Sequence, residues 1–354
     1  MVLVGSEPMA PYERPHLSKG YIMGSVPRGS LRLRPPNQYT DLGIELRTGQ
    51  EVVDLGTERR VALASGSELS WDLLCVATGA SARVLAGFED GLYLRELRDA
   101  DALRSTLKAN DSVRVIGAGF IGCEVAAAAR MLGLRVDVYE ELAQPLIRVL
   151  GPELGAYLAG VHRARGVEMH LSVGTLPPLV SPLVVGVGSV PRTWLAERAG
   201  LEVDSGIIVD AQGRTSADGV FAAGDATRFF SPLYEKHIRV EHFQTSQRQG
   251  FVVGRAMAGA SEPYREVPWF WSDQYDVNLQ YAGAGLAWDE TVIRGEMGKP
   301  PFTVFHLAGG RPIAATGVND HHTVARARHL MEARRPVTRT QLEDPGFDLR
   351  RALA

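Results

Sequence analysis

At 354 residues the chain is too long for one ordinary hydrophobic core, so two or three domains are expected. The composition, 45% hydrophobic and 22% charged with a formal charge of −3, is that of an ordinary globular protein and gives no hint of nucleic-acid or membrane-surface binding. Cys75 and Cys123 are its only cysteines, too far apart for a disulfide scaffold, a metal knuckle or a redox-active dithiol. No apolar run reaches spanning length and no signal peptide opens the chain, which predicts a cytoplasmic location.

Val2–Gly5 reads as a buried strand, and Pro11-Tyr12-Glu13-Arg14-Pro15 after it is punctuated by prolines that exclude a helix interior. The segments Gly49–Leu55 and Val61–Leu69 alternate and turn like a β-meander. Trp71–Ala77 reads as a second buried strand, ending at Thr78-Gly79-Ala80. A helix is predicted near Asp99–Leu107. Strand Val113–Ile116 then runs into Gly117-Ala118-Gly119-Phe120-Ile121-Gly122, an alanine-rich helix continues to Leu132, and strand Arg135–Tyr139 follows. Further strands are expected at Leu183–Gly188 and Val220–Ala223, the second breaking at Gly224-Asp225. From Pro268 the texture turns aromatic. Phe302–Leu307 and Ile313–Val318 read as antiparallel strands before a helix over Thr323–Glu332. The last twenty residues, polar and broken by proline, are expected to be poorly ordered.

The strongest local signal is Gly117-x-Gly119-x-x-Gly122. Such a pattern alone is weak, but here it follows a strand, opens a helix and precedes an acid, Glu140, at the end of the next strand. Glycines in this place permit a tight turn and close approach of a pyrophosphate to a helix N-terminus, whose N–H groups favour an anion. Glu140, with Glu141 beside it, would accept hydrogen bonds from a ribose diol and repel a 2′-phosphate, so NADH is expected over NADPH. A second signal pairs Thr78-Gly79 at one strand end with Gly224-Asp225 at another. Each is common as a plain turn; flanking a dinucleotide unit together, they point to a second dinucleotide.

Pro11-Tyr12-Glu13-Arg14-Pro15-His16-Leu17-Ser18-Lys19 resembles the signature of bacterial NADH-dependent ferredoxin reductases. The resemblance continues through Val113–Glu124, Val187–Pro191, Gly219–Ala226, Arg239–Phe243 and Phe270-Trp271-Ser272-Asp273-Gln274-Tyr275, and so covers nearly the whole chain in order. It implies an α/β fold with two nested Rossmann-like domains, for FAD and NAD, and a small C-terminal α+β domain. The division is 1–98 for the first FAD segment, 99–214 for NADH, 215–262 for the second FAD segment and 263–354 for the C-terminal domain. It also implies electron transfer from NADH through FAD to a transient [2Fe-2S] ferredoxin partner serving a cytochrome P450 or a Rieske-type oxygenase.

Residue by residue, the resemblance assigns Glu7 to the FAD ribose and Arg14 and Lys19 along the FAD, with Lys19 near the flavin ring. Val52 goes to the adenine half, and Arg148 and Asp225, with Gly224, to the phosphate and ribityl regions. Phe243 and Trp271 go beside the flavin, and Thr78 and Gly79 to the domain crossover. Glu124 and Gly188 would meet the nicotinamide, with Gly117, Gly119, Phe120, Ile121 and Gly122 under the rest of NADH. Plain alternatives stand beside these roles: a solvated Lys19, core packing for Phe243 and Trp271, and a satisfied buried His242 rather than a proton carrier. His321-His322 lacks neighbouring ligands and is not read as a metal site.

Two departures from the family pattern are visible. The family's first strand, glycine turn and helix have no counterpart before Val2, which leads us to expect weak FAD binding by the chain as given. The join Ser172–Ser181, with Leu176-Pro177-Pro178, is also too short for the usual strands of the NADH domain. Alternatives to a ferredoxin reductase are a rubredoxin reductase, an NADH oxidase, or a non-catalytic NADH-binding remnant.

Overall fold

The computed structural model describes residues 1–56, 58–178 and 182–353. The chain divides into two compact units, each built from several segments.

The first unit comprises Met1–His16, Val26–Ser81 and Val190–Arg265. Its strands form short sheets. Val2–Gly5 pairs in parallel with Glu45–Thr48, and Leu74–Val76 pairs in parallel with Val220–Ala222. Val52–Asp54, Arg60–Leu63 and Glu68–Ser70 make the antiparallel meander that the alternation predicts. Ile207–Val209, Thr227–Ser231 and Lys236–Ile238 make a fourth sheet. The helix Phe243–Met257 lays Val253 and Ala256 on Phe221 and Ala223, a small apolar core beneath the Gly224 turn.

The second unit comprises Leu17–Ser25, Ala82–Ser189 and Glu266–Ala354. Its parallel sheet runs in the order Val167–His170, Arg135–Tyr139, Ser112–Ile116, Leu183–Val185. The inner strands alternate with full burial at Val113, Val115, Val136 and Val138, as a sheet covered by helices requires. The helices are Leu97–Ala109, Phe120–Met131 and Ile147–Ala164. Strand Leu183–Val185 ends sooner than expected, and Gly188, at φ +108°, lies beyond it.

A five-stranded antiparallel sheet completes this unit, in the order Trp269–Gln274, Val277–Gly283, Arg311–Val318, Lys299–Ala308, Glu290–Glu296. Helix His321–Glu332 covers one face, and the core there gathers Val292, Phe305, Leu307, Ala315, Ala327 and Leu330. The expectation of a poorly ordered end is overturned. Arg339–Glu343 is helical, Leu349–Ala352 forms a helical turn, and Leu342 and Leu349 are buried in that core. Two well-spaced leucines in a polar segment tie it to the core, and Arg294 of strand Glu290–Glu296 donates to the carbonyls of Pro345 and Phe347 within it. Of the short join Ser172–Ser181, residues 179–181 lie outside the described residues, and Leu176-Pro177-Pro178 carries no regular structure. Among the described residues no helix is long and apolar enough to cross a membrane.

Candidate functional site

The glycine turn between Ser112–Ile116 and Phe120–Met131 separates its three glycines by physical cause. Gly117 adopts φ +92°, and a Cβ there would stand 2.5 Å from the Gly186 carbonyl oxygen. A Cβ on Gly122 would stand 1.9 Å from the Gly117 oxygen. Packing demands both. Gly119 differs: its backbone is ordinary at φ −75°, and a Cβ would meet only the Gly186 oxygen, at 3.8 Å. No described neighbour requires glycine there, whereas a phosphate approaching the backbone does. Gly119 is also the N-cap of its helix and no side chain caps it, so the first-turn N–H groups remain available to an anion. The residues fit a dinucleotide.

Glu140 follows strand Arg135–Tyr139, and its carboxylate turns back to the turn. One oxygen accepts the Ala118 N–H at 2.6 Å and the other accepts the Leu142 N–H at 2.9 Å. A carboxylate offers about four lone-pair sites, so acceptor capacity remains for ribose hydroxyls. Ile121, exposed at 40%, follows Phe120, whose ring meets Phe270 edge-on at 4.5 Å.

Glu124 sits one turn further along the same helix and is buried. Lys19 Nζ lies 2.8 Å from its Oε2, and Ser18 donates to that same oxygen. Ser272 Oγ donates to Oε1 at 2.6 Å. A buried ion pair is tolerable only when its remaining lone pairs are satisfied, and these two serines do that. Lys19, Glu124 and the aromatic run containing Trp271 therefore meet in one unit. Arg148 lies exposed near the start of helix Ile147–Ala164, away from this cluster in sequence and without an ion-pair partner among the described residues.

In the first unit, Glu7 is bound by its own motif: Tyr12 OH donates to it at 2.5 Å, and Arg14 forms an ion pair with it and donates to Tyr12 at 3.0 Å. Val52 opens the meander, half-buried. Thr78 Oγ1 donates to the Arg192 carbonyl at 2.6 Å, and the Arg192 N–H donates to Gly79 at 2.9 Å, pinning the turn where Gly79 takes φ +68°. Gly224, at φ +77°, donates its N–H to Gln249 at 2.7 Å. Asp225 beside it accepts from Ser246 at 2.8 Å. Burial drives the His242 imidazole down to about 4, with the Asp225 charge opposing the shift, so at neutral pH His242 is uncharged. Phe243 follows it, half-buried at the start of its helix. Thr245 Oγ1, also buried, makes no hydrogen bond among the described residues.

Residues 1–175 and 179–250 match the pyridine nucleotide-disulphide oxidoreductase family, and residues 269–353 match the reductase C-terminal family. The chain is 39% identical to the ferredoxin–NAD(+) reductase component of the anthranilate 1,2-dioxygenase system of Burkholderia cepacia, over 99% of this chain and 92% of that one. It is 37% identical to rhodocoxin reductase of Rhodococcus erythropolis, over 100% and 88%. The chain belongs to the pyridine nucleotide-disulphide oxidoreductase family. Among solved structures, the covalent putidaredoxin reductase–putidaredoxin complex matches with a TM-score of 0.94 at 31% identity, covering 99% of this chain and 91% of that one.

Disulfide chemistry, which the family name suggests, finds no support in this member's thiols. Burial raises Cys75 to about 11 and pushes Cys123 up further, with Glu124 and Glu140 adding to the shift. Neither is a thiolate at neutral pH. Ser272, Gln274 and His162 are functional candidates that the sequence reading did not single out. For His162 one signal was available: it continues the buried stripe Leu154, Leu158 at four-residue spacing, where an apolar residue is the rule.

Proposed function

We propose that this chain is an FAD-containing NADH:ferredoxin reductase of an oxygenase system, acting in the cytoplasm on a small [2Fe-2S] ferredoxin. The likeness to ferredoxin–NAD(+) reductases, over 99–100% of this chain, carries the reading. Cys75 and Cys123, far apart in sequence and held protonated by burial, offer no redox dithiol, which supports it further. When bound, the flavin supplies the conversion between a hydride and single electrons.

The residues contribute binding and exclusion. Gly117 and Gly122 shape the turn, Gly119 lets the NADH pyrophosphate approach the uncapped first turn of helix Phe120–Met131, and Glu140 selects the ribose diol. Glu124 and Gly188 are assigned to the nicotinamide side, and Phe120 and Ile121 to the rest of NADH. Glu7, Arg14, Lys19, Val52, Thr78, Gly79, Arg148, Gly224, Asp225, Phe243 and Trp271 are assigned to FAD. The four-segment division into FAD, NADH and C-terminal domains belongs to the same reading.

The test is NADH-dependent cytochrome c reduction with and without a [2Fe-2S] ferredoxin, on protein whose flavin is followed by visible absorbance. Ferredoxin-dependent turnover that slows with added salt is expected, because rim charges govern a transient encounter. Equal rates without ferredoxin would turn the assignment to an NADH oxidase, and reduction of rubredoxin alone to a rubredoxin reductase. Colourless protein that binds NADH without turnover would mark a non-catalytic remnant.

A further inference from the structure

Beyond Lys19, the Glu124 carboxylate begins a buried chain of hydrogen bonds that reaches the surface. Ser272 Oγ contacts Glu124 at 2.6 Å and Gln274 Nε2 at 3.2 Å. Gln274 Oε1 lies 2.9 Å from His162 Nε2, and His162 Nδ1 lies 3.0 Å from the Tyr275 hydroxyl. Ser272, Gln274 and His162 are all buried, so each of these contacts must be a matched donor and acceptor.

The direction of every bond follows from one end. A carboxylate paired with Lys19 only accepts, so Ser272 must donate to it. Ser272 then has only lone pairs to offer Gln274, whose NH₂ must face it. That turns the Gln274 oxygen toward His162, which must carry its proton on Nε2. His162 Nδ1 is left an acceptor, and Tyr275 donates to it. Burial holds the His162 pKa below its ordinary value, which keeps the ring neutral and the tautomer defined at neutral pH.

We propose that Ser272, Gln274, His162 and Tyr275 are positioning residues that read the charge of Glu124 and hold its Oε1 toward the C-terminal sheet, leaving Oε2 to Lys19. The chain is not a proton wire, because an amide passes a proton only through an unfavourable imidic form. Its product is one fixed polarity. The inference rests on the functional reading only in treating Glu124 as a site residue. The measurement needs neither NADH nor ferredoxin, so its failure leaves the electron-transfer assay untouched.

The same logic makes an unusual forecast for Glu124→Gln. Lys19 and Ser18 both donate to the Oε2 position, so the new amide oxygen must sit there and its NH₂ must face Ser272. Ser272 then donates onward, Gln274 turns over, and His162 moves its proton from Nε2 to Nδ1. Long-range ¹H–¹⁵N spectra of the ¹⁵N-labelled full-length protein at pH 7.5, with the His162 signals assigned by their loss in His162→Gln, read this directly. Wild-type protein should show protonated Nε2, and Glu124→Gln the two ring nitrogens exchanged. A wild-type Nδ1–H form, or an unchanged tautomer in the variant, overturns the proposal. Should Glu124→Gln fail to fold, Ser272→Ala decides: cutting the link should average the two tautomers, and a His162 still locked with Nε2–H would overturn it.

Discussion

The Glu140 carboxylate accepts the backbone N–H of Ala118, the residue between the first two glycines of the turn, at 2.6 Å. The acid that closes the βαβ unit is thus fastened to the loop that opens it. Replacing Glu140 with Ala removes this fastening, the ribose acceptor and the charge that repels a 2′-phosphate together. Hydrogen bonds to a charged group contribute about 1.5–3 kcal/mol, so kcat/KM for NADH should fall roughly tenfold to a hundredfold. The NADPH value should fall less, narrowing the preference. Steady-state kinetics with both nucleotides checks this; an unchanged ratio would mean that Glu140 only staples the turn.

Gly119 and Gly122 should separate binding from folding. Gly122→Ala places a methyl 1.9 Å from the Gly117 oxygen, which forces backbone to move. A loss of about 3 kcal/mol in stability is expected, at the upper end for overpacking. Gly119→Ala meets nothing closer than 3.8 Å and keeps an allowed φ, so the melting temperature should stay within about 2 °C. Its NADH affinity should nevertheless drop by about tenfold or more, because the added methyl occupies the approach of the pyrophosphate. Thermal melts with NADH titration of both variants would expose an error if Gly119→Ala bound normally.

These contrasts mark how far the sequence could be read. The glycine turn, Glu140 and the strand Arg135–Tyr139 are local in sequence, so spacing and periodicity sufficed to find them. The surroundings of Glu124 were not local: Ser18 lies 106 positions away and Ser272 lies 148 positions away. No period or motif connects residues brought together only by tertiary packing. The order at the chain's end was hidden for a similar reason, since Arg294, which donates to the Pro345 and Phe347 carbonyls there, belongs to strand Glu290–Glu296. Strand Leu183–Val185 ended early because a hydrophobic run continues past the last paired residue into a glycine turn.

His306 should make the protein acid-labile. It is buried against Trp288, with ring centroids 4.0 Å apart, and burial lowers its pKa to about 4 despite the nearby Glu153 charge. In the unfolded chain the same group titrates near 6.5. Between these values the unfolded state binds more protons, so stability is present above about pH 6.5 and is lost as pH falls toward 4. His242, also lowered to about 4, adds in the same direction. Each contributes on the order of 3 kcal/mol across that window. His306→Phe keeps a ring on Trp288 without a titrating group, so its melting temperature should fall less steeply between pH 6.5 and 4 than that of the wild type. Parallel curves would show that His306 is not the group responsible.

Arg294 holds the end of the chain. Its side chain is buried, and its guanidinium donates to the carbonyls of Gln341 and Leu342, both at 3.3 Å, Pro345 at 3.1 Å and Phe347 at 2.7 Å. A planar fork with five N–H donors can serve four separate carbonyls; a lysine ammonium has three donors and no fixed plane. Burial lowers the Arg294 pKa and the Asp320, Asp344 and Asp348 charges oppose that shift, but arginine remains charged throughout the working range. With about 1 kcal/mol net for each bond, Arg294→Ala should cost about 3–4 kcal/mol and release Arg339–Ala352 from the core of Leu342 and Leu349. Arg294→Lys should recover little of it. Urea unfolding gives the energy, and limited trypsin digestion at Arg339 and Arg350 reports the release. Both variants should be trimmed there sooner than the wild type. If Arg294→Ala resisted trypsin as the wild type does, the two leucines alone would hold the segment and the arginine clamp would be redundant.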